Sequence, residues 1–463
     1  MKRREMPFEP DATVSVLGLG VSGTAAARLA TSRGATVYAS DASAGPEQKA
    51  AAAALAAEGI SAEAGRHDMD RILDSDLVVV SPGISPFSDV RQEVSKRGIR
   101  TIAEVELAYG TLSSRVIGIT GTNGKTTTTE LAAAILRECG TSAVAAGNIG
   151  RPLSWTAMDE EQPDWVVVEL SSFQLADLES FHVDIGVLLN LAPDHLDRYR
   201  DLQAYYADKQ QLFAVGDEST HWVLNADDLS VLDLANSLAD EAFKFSLKGP
   251  VERGGWLSEN DSLVGRIDGS EEYWISRAEL PLIGPHNVAN ALAAGVAARL
   301  AGCPADAVGG GLRLPPGLRH RLESVGEVDG VLWINDSKAT NVAAAIAAVQ
   351  SFERPIIMML GGRHKGEPYE LIAESGRGRL KAVVAFGEAA PKIIADLEDA
   401  APHVAVENGM DAAVRAAWRE AAPGDVVLFS PACSSYDMYP NYEVRGDAFV
   451  RAVRALPQAE GGA

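Results

Sequence analysis

The sequence predicts an α/β chain of three doubly wound domains in series, and three observations predict it. Short β-branched runs such as Leu77-Val78-Val79-Val80, Trp165-Val166-Val167-Val168 and Val426-Val427-Leu428-Phe429 alternate with alanine-rich stretches of helical composition, the pattern of buried parallel strands crossed by helices. Several of these runs end in glycine or polar turns, at the sheet edge where α/β folds collect ligands. The 463 residues exceed one core, because a domain takes about 150 residues. We expect domains at 1–105, 106–317 and 318–463.

A formal charge of −23 argues against wrapping nucleic acid or coating an anionic membrane, while leaving room for local basic sites. Cys139, Cys303 and Cys433 are odd in number and widely spaced. They read as small buried side chains in a reducing compartment. The charged start leads into a short strand broken by Gly18 and Gly20, and no stretch approaches the length of a membrane span. The expectation is a soluble, cytoplasmic protein.

The first domain opens with the strand Thr13-Val14-Ser15-Val16-Leu17, then Gly18-Leu19-Gly20-Val21-Ser22-Gly23 and an alanine-rich helix. A second strand ends at Asp41, at ribose-binding distance from this glycine turn. Alone this spells a dinucleotide site. The physics is broader, since any diphosphate suits a helix N-terminus and any ribose hydroxyl suits an aspartate. Ser81-Pro82-Gly83 follows the strand Leu77–Val80 as a further turn at the same edge.

The middle domain carries the most informative stretch, Gly121-Thr122-Asn123-Gly124-Lys125-Thr126-Thr127, between the strand Arg115–Thr120 and the helix-like stretch Glu130–Arg137. Backbone N–H groups at such a turn face an anion, the lysine adds a mobile charge, and the threonine hydroxyl can ligate Mg²⁺. That is a nucleoside triphosphate cradle. Its pattern is a variant, because Ile119 stands where a glycine is usual and Gly118 comes one residue early. Glu169 directly follows a buried strand, and Asp194-His195-Leu196-Asp197-Arg198 follows another, so three strands bring polar groups to one edge. Lys209, from composition alone, is a helical surface lysine. Between Phe243 and Ser276 the composition predicts a small antiparallel patch attached to this domain.

The third domain holds Val331–Asn335 followed by Asp336-Ser337-Lys338-Ala339-Thr340-Asn341, then Pro355–Leu360 with Gly361-Gly362, and Val426–Phe429 with Ser430-Pro431. Strand and helix alternate as before.

The phosphate loop, Glu169-Leu170-Ser171-Ser172-Phe173-Gln174, Asp194–Arg198, His286-Asn287-Val288-Ala289-Asn290 and Asp336–Asn341 together resemble the Mur ligases, in order and across nearly the whole chain. The last stretch, with Ser430-Pro431-Ala432-Cys433-Ser434-Ser435, resembles the glutamate-adding branch. The resemblance implies a Rossmann-like UDP-binding domain, a central P-loop ATPase domain and a Rossmann-like C-terminal domain. It implies that ATP phosphorylates the carboxylate of UDP-N-acetylmuramoyl-L-alanine and that D-glutamate attacks the acyl phosphate, in peptidoglycan precursor synthesis. Lys125 would meet the β- and γ-phosphates, Thr126 the Mg²⁺, and Glu169 and His195 a second metal ion or its waters. Asn290, Arg321 and Asp336 match positions around the nucleotide. Lys209 matches a lysine that CO₂ carbamylates, which would turn a cation of pKa about 10.4 into an oxygen ligand. Gly18, Gly20, Val21, Ser22 and Gly23 would meet the UDP diphosphate, Asp41, Ser81 and Gly83 the uridine side, and Asn148 the sugar-peptide portion. Lys338, Thr340, Lys365, Ser435 and Tyr442 would receive the glutamate, with two lysines suited to a dicarboxylate. His364 and the phenol of Tyr442 depart from the usual acidic and phenyl residues. A monomer without nucleic-acid or membrane partners is implied.

A nicotinamide oxidoreductase would leave Lys125, Glu169, His195 and the third domain without a role. A nonenzymatic ATP-binding regulator has no use for lysine, acid, histidine and Lys209 together. Other Mur ligases, adding L-alanine or a diamino acid, are the nearest competitors, and Asp336–Asn341 speaks for glutamate.

Overall fold

The computed structural model describes residues 4–194, 199–314, 319–397, 402–406 and 409–457. Its strands form three sheets, and its Cα packing divides the chain into two compact units. One unit comprises 1–191, 198–280 and 290–314, the other 192–197, 281–289 and 315–463.

The first sheet contains β1 (Thr13–Leu17), β2 (Thr36–Asp41), β3 (Ser61–Ala64), β4 (Leu77–Val80) and β5 (Thr101–Ala103) in the order β3-β2-β1-β4-β5, every neighbour parallel. Alternate residues serve opposite faces. Val14, Val16, Leu77 and Val79 pack with Leu29 of the helix Val21–Ser32. Leu17, Val78 and Val80 pack with Ile72, Val90 and Val94 of the helices Met69–Leu73 and Asp89–Lys96 on the other side. Burial on both faces is why these strands read as unbroken β-branched runs. Strand order reverses between β1 and β4, which places the turns after these two strands at the switch point.

The second sheet has nine strands: β6 (Arg115–Thr120), β7 (Ala143–Gly147), β8 (Trp165–Glu169), β9 (Ile185–Leu188), β10 (His221–Asn225), β11 (Phe243–Ser246), β12 (Gly254–Leu257), β13 (Ser262–Arg266) and β14 (Glu271–Ser276). Their order is β14-β13-β12-β11-β10-β9-β6-β8-β7. The expected antiparallel patch takes a different form. β11 and β12 continue the parallel sheet from β10, and only β12-β13-β14 run antiparallel. The region is thus an extension of the central sheet: its hairpins are local, but the pairing of β11 with β10 is not visible in a composition.

The third sheet contains β15 (Glu323–Val328), β16 (Val331–Asn335), β17 (Ile356–Gly361), β18 (Leu380–Phe386), β19 (His403–Val406) and β20 (Val426–Phe429), in the order β15-β16-β20-β17-β18-β19. Among the described residues only β15 with β16 is antiparallel in this sheet. Ile334, Met358, Leu360 and Leu428 face Val342, Ala345, Ile372 and Ile393. Trp333, Ile357, Met359 and Phe429 face Met410, Ala413 and Phe449.

The cysteines require a second correction. Cys139 and Cys303, separated by 164 residues, are disulfide-bonded with Cα atoms 5.8 Å apart, while Cys433 is a buried thiol. Cys139 caps the helix Lys125–Glu138, and the helix Ala305–Arg313 packs on that same helix, with Gly311 against Ile135. Tertiary packing therefore brings together two sulfurs that their spacing keeps apart. Among the described residues, no helix is long and apolar enough to cross a membrane.

Candidate active site

The strand ends β6, β7 and β8 bring a cluster of buried polar groups together in the first unit. After Thr120 the chain turns into the helix Lys125–Glu138 through Gly124, whose φ of +88° a residue with a Cβ adopts only under strain. A Cβ there would also strike Asn290 Oδ1. The start of this helix combines orphan N–H groups with the positive end of its dipole, an anion site by construction. Lys125 folds back over the loop, with Nζ donating to the carbonyls of Gly121 and Thr122 at 2.9 Å each.

Glu169 ends β8 beside Gly147, its register partner at the end of β7. The carboxylate is buried and doubly held: Thr126 Oγ1 donates to Oε2 at 2.6 Å and Asn148 Nδ2 to Oε1 at 3.1 Å. Lys209, on the helix Leu202–Ala214, is 1% exposed and is no surface lysine. Its Nζ donates to Gly121 O at 2.9 Å and lies 4.7 Å from the ring centre of Tyr205. Tyr205 in turn donates from its hydroxyl to Thr122 Oγ1 at 3.2 Å. Thr127 is wholly buried. Lys125, Thr126, Asn148, Glu169, Lys209 and Asn290 thus meet around one loop. Asn148 stands with Glu169 here. His195 lies outside the described residues.

Thr126 and Glu169 offer hard oxygen donors from a hydroxyl and a carboxylate. That set fits Mg²⁺, which takes one or two protein oxygens and completes its shell with water and phosphate. Among the described residues, no group of three or more His, Cys, Asp and Glu side chains forms a dedicated metal cage.

At the first switch point Gly18 has φ +100°, and a Cβ on it would lie 2.7 Å from Ser81 Oγ; one on Gly23 would lie 2.8 Å from the same oxygen. The turns after β1 and β4 are therefore in contact because both positions lack side chains. Gly20 precedes the helix Val21–Ser32, and nothing lies within 4 Å of where its Cβ would be, nor of the corresponding point on Gly83. Asp41 Oδ2 accepts the Leu19 N–H at 2.9 Å and Oδ1 the Ser43 N–H at 2.8 Å, so this carboxylate shapes the glycine turn. Val21 is 64% exposed.

In the second unit, burial pushes Asp336 up to about 7, against the opposing effects of the Ser430 hydroxyl, Arg321 and the Leu322 N–H. The Ser430 hydroxyl donates to it at 2.8 Å and the Leu322 N–H at 3.2 Å. Lys338 Nζ lies 5.4 Å from the ring centre of Tyr442, a contact the phenyl ring would make equally. Lys365 Nζ pairs with Asp194 Oδ1 at 2.8 Å, and Asn341 Nδ2 donates to Asp194 Oδ2 at 2.8 Å. Burial and then Asp194 push the nearby Glu367 up to about 7. Thr340 is half-buried and Ser435 buried. His364 Nδ1 accepts the Gly366 N–H at 3.3 Å.

Sequence reasoning missed Tyr205, Asn341, Glu367 and Arg445. Asn341 stood in a quoted motif, and Tyr205 lies four residues before Lys209, one turn away on its helix. Arg445 had no signal. Its buried guanidinium donates to Ser337 O at 2.7 Å, Ser337 Oγ at 3.0 Å and Cys433 O at 2.9 Å, tying the exits of β16 and β20. Burial lowers its pKa to about 10.

Comparisons with known proteins cover the same three regions. Residues 12–103 match the family model of the Mur ligase MurD-like N-terminal domain, 119–298 the Mur ligase middle domain, and 320–433 the Mur ligase glutamate ligase domain. The UDP-N-acetylmuramoylalanine–D-glutamate ligase of Acidobacterium capsulatum is 42% identical over 443 residues, covering 96% of each chain. That of Salinibacter ruber is 41% identical over 452 residues, covering 96% of this chain and 97% of its own. Among solved structures, the UDP-N-acetylmuramate-alanine ligase of Thermotoga maritima aligns with TM-score 0.62 at 19% identity over 96% of this chain and 99% of that one. A pseudomurein peptide ligase from Methanothermus fervidus aligns with TM-score 0.61 at 21% identity, over 96% and 100%. These two structural likenesses concern the fold.

Proposed function

The chain belongs to the Mur ligase family, and from that premise we infer that it is an ATP-dependent ligase joining D-glutamate to UDP-N-acetylmuramoyl-L-alanine. The observation that carries this reading is the cluster of Lys125, Thr126 and Glu169 on a phosphate loop, in a chain that matches 96–97% of the length of relatives at 41–42% identity bearing that enzyme's name.

The chemistry asks for two things. A phosphoryl group must pass from ATP to a carboxylate oxygen, giving an acyl phosphate and ADP. The amine of glutamate must then attack the acyl carbon, and the tetrahedral adduct expels phosphate as the amide forms and the ammonium proton leaves. Positioning and charge neutralisation do most of this work. Lys125 Nζ lies 2.9 Å from each of the loop carbonyls it now holds, and it can exchange them for β- and γ-phosphate oxygens. Thr126 and Glu169 would hold Mg²⁺, which supplies neutralisation of the transferring phosphoryl group. A second ion would draw on His195 and on Lys209 as its carbamate. The hydrogen bond from Lys209 to Gly121 O is compatible with that modification, since a carbamate nitrogen keeps one N–H. UDP would lie on Gly18–Gly23, with Ser81 and Gly83 beside it. In the second unit, Lys338 and Lys365 would receive the carboxylates of glutamate, Lys365 exchanging Asp194 for its ligand. We place the activity in the cytoplasm, in a monomer.

Phosphate release by purified protein tests this. It should require ATP, Mg²⁺, UDP-N-acetylmuramoyl-L-alanine and D-glutamate together, and yield the amide. Turnover with another amino acid in place of D-glutamate would reassign the substrate, and none with any would overturn the ligase reading.

A further inference from the structure

A phosphate loop usually places a glycine five residues before Gly124, and this chain has Ile119 there, inside β6. A loop short of one glycine needs its shape from elsewhere, and the neighbouring strand supplies it. Asn190 follows β9 by two residues. Its Oδ1 accepts the Asn123 N–H at 2.8 Å, its Nδ2 donates to Asn123 O at 2.9 Å, and its own carbonyl accepts the Thr122 N–H at 2.9 Å. One residue thereby grips both polar groups of Asn123 and the amide before it.

The fit is close. A Cβ on Gly121 would lie 2.9 Å from Leu189 Cβ and 3.2 Å from Asn190 N, so the glycine retained at 121 is the one that admits the exit of β9. That exit is itself pinned from β10. Asn225 Nδ2 donates to Leu189 O at 2.9 Å, and Asp228 Oδ2 accepts the Leu191 N–H at 2.9 Å while its Oδ1 caps the helix Leu229–Ala235. A chain of Asn and Asp side chains therefore runs along the sheet edge from β10 to the phosphate loop.

We propose that Asn190 is a positioning residue for the nucleotide, holding Thr122 and Asn123 so that the cradle opens at Gly124, where the helix begins. The proposal rests on the reading that this loop binds ATP. Both amides that Asn190 and its carbonyl accept are withdrawn from phosphate contact, and the segment whose carbonyls receive Lys125 Nζ is held in one conformation before ligand arrives. A loop ordered in advance spares binding the entropy of ordering it.

Asn190→Ala tests this with three readouts on one preparation: ADP–Mg²⁺ affinity, UDP-N-acetylmuramoyl-L-alanine affinity, and amide hydrogen exchange of residues 119–127 without ligand. Two lost hydrogen bonds should weaken nucleotide binding about tenfold or more, with a matching rise in the KM for ATP and a smaller change in kcat. Exchange at Thr122 and Asn123 should accelerate, and UDP-substrate affinity should stay within about twofold. Unchanged nucleotide affinity, or unchanged exchange, overturns the proposal. Should N190A lose UDP-substrate binding too, Asn190→Ser, which keeps a hydroxyl at this half-buried position, is judged by the same two outcomes. Wild-type protein that binds the UDP substrate but no nucleotide would instead sink the ATP reading, and with it this inference.

Discussion

Glu104 is a carboxyl group folded away from all solvent. It opens the helix Glu104–Tyr109 between the first and second sheets, and its Oε1 accepts the Ser154 N–H at 2.6 Å. Its Oε2 and the Ser154 hydroxyl are both buried without a hydrogen-bond partner. Two residues on, Glu106 is buried differently, with three backbone N–H donors from Glu179, Ser180 and Phe181 at 2.8–3.0 Å. Burial therefore pushes Glu104 up to about 7 from 4.5, and the sign follows. The folded state holds this proton more tightly, so the contribution is full below pH 4.5 and is lost as pH rises through 7. Its size is about 3 kcal/mol from 1.36 kcal/mol per unit. Asp336 and Glu367 are raised in the same window, so the comparison of variant with wild type isolates Glu104. Glu104→Gln keeps the acceptor for Ser154 and cannot ionise. Denaturation midpoints between pH 5 and 8 should fall less steeply in E104Q than in wild type, and parallel slopes would show that Glu104 does not titrate this way.

Elements buried on both faces were legible because their chemistry is local. The runs Leu77–Val80, Trp165–Glu169, Ile356–Gly361 and Val426–Phe429 are all strands, and the glycine turns after β1 and β6 begin helices as their spacing predicted. Contacts between distant elements were not legible. Arg445 reaches Ser337 across 108 residues, and no periodicity of its helix marks that. Lys209 is buried by the loop it touches 88 residues away, so only the family resemblance singled it out. The resemblance did the same for Asn148, which meets Glu169 from the end of β7, and for Asn290, which meets the phosphate loop at Gly124 from a distant helix. Cys139 and Cys303 are the clearest case, since the bond depends on helix packing that sequence spacing conceals. Closing a loop of that length restricts the unfolded chain by about 5 kcal/mol in the chain-entropy account. Adding a thiol reductant, or replacing Cys139 by Ser, should therefore lower the unfolding midpoint of the unit that contains the bond. An unmoved midpoint, with free thiols titrated before and after, would mean that the pair is not bonded in solution.

At the scale of the whole chain, the two compact units each have their own hydrophobic interior, and a single two-state free energy is not the natural description of such a protein. The turns proposed for UDP, after β1 and β4, belong entirely to the first unit. UDP should therefore stabilise that unit by mass action, about 2.7 kcal/mol at a hundredfold excess over Kd, and leave the other where it was. Scanning calorimetry should resolve two transitions. The second unit's can be marked independently through Phe429 and Phe449, whose rings stack at 4.5 Å inside its core. Phe429→Ala removes that packing at a cost of about 3–5 kcal/mol and should shift the transition that UDP leaves in place. If UDP and F429A moved the same transition, either the units would unfold as one body or UDP would bind away from the glycine turn. Gly18→Ala separates these outcomes, because a Cβ at that positive φ, pressed on Ser81, disturbs the turn itself: the variant should lose the UDP shift if the turn is the site, and keep it if UDP binds elsewhere.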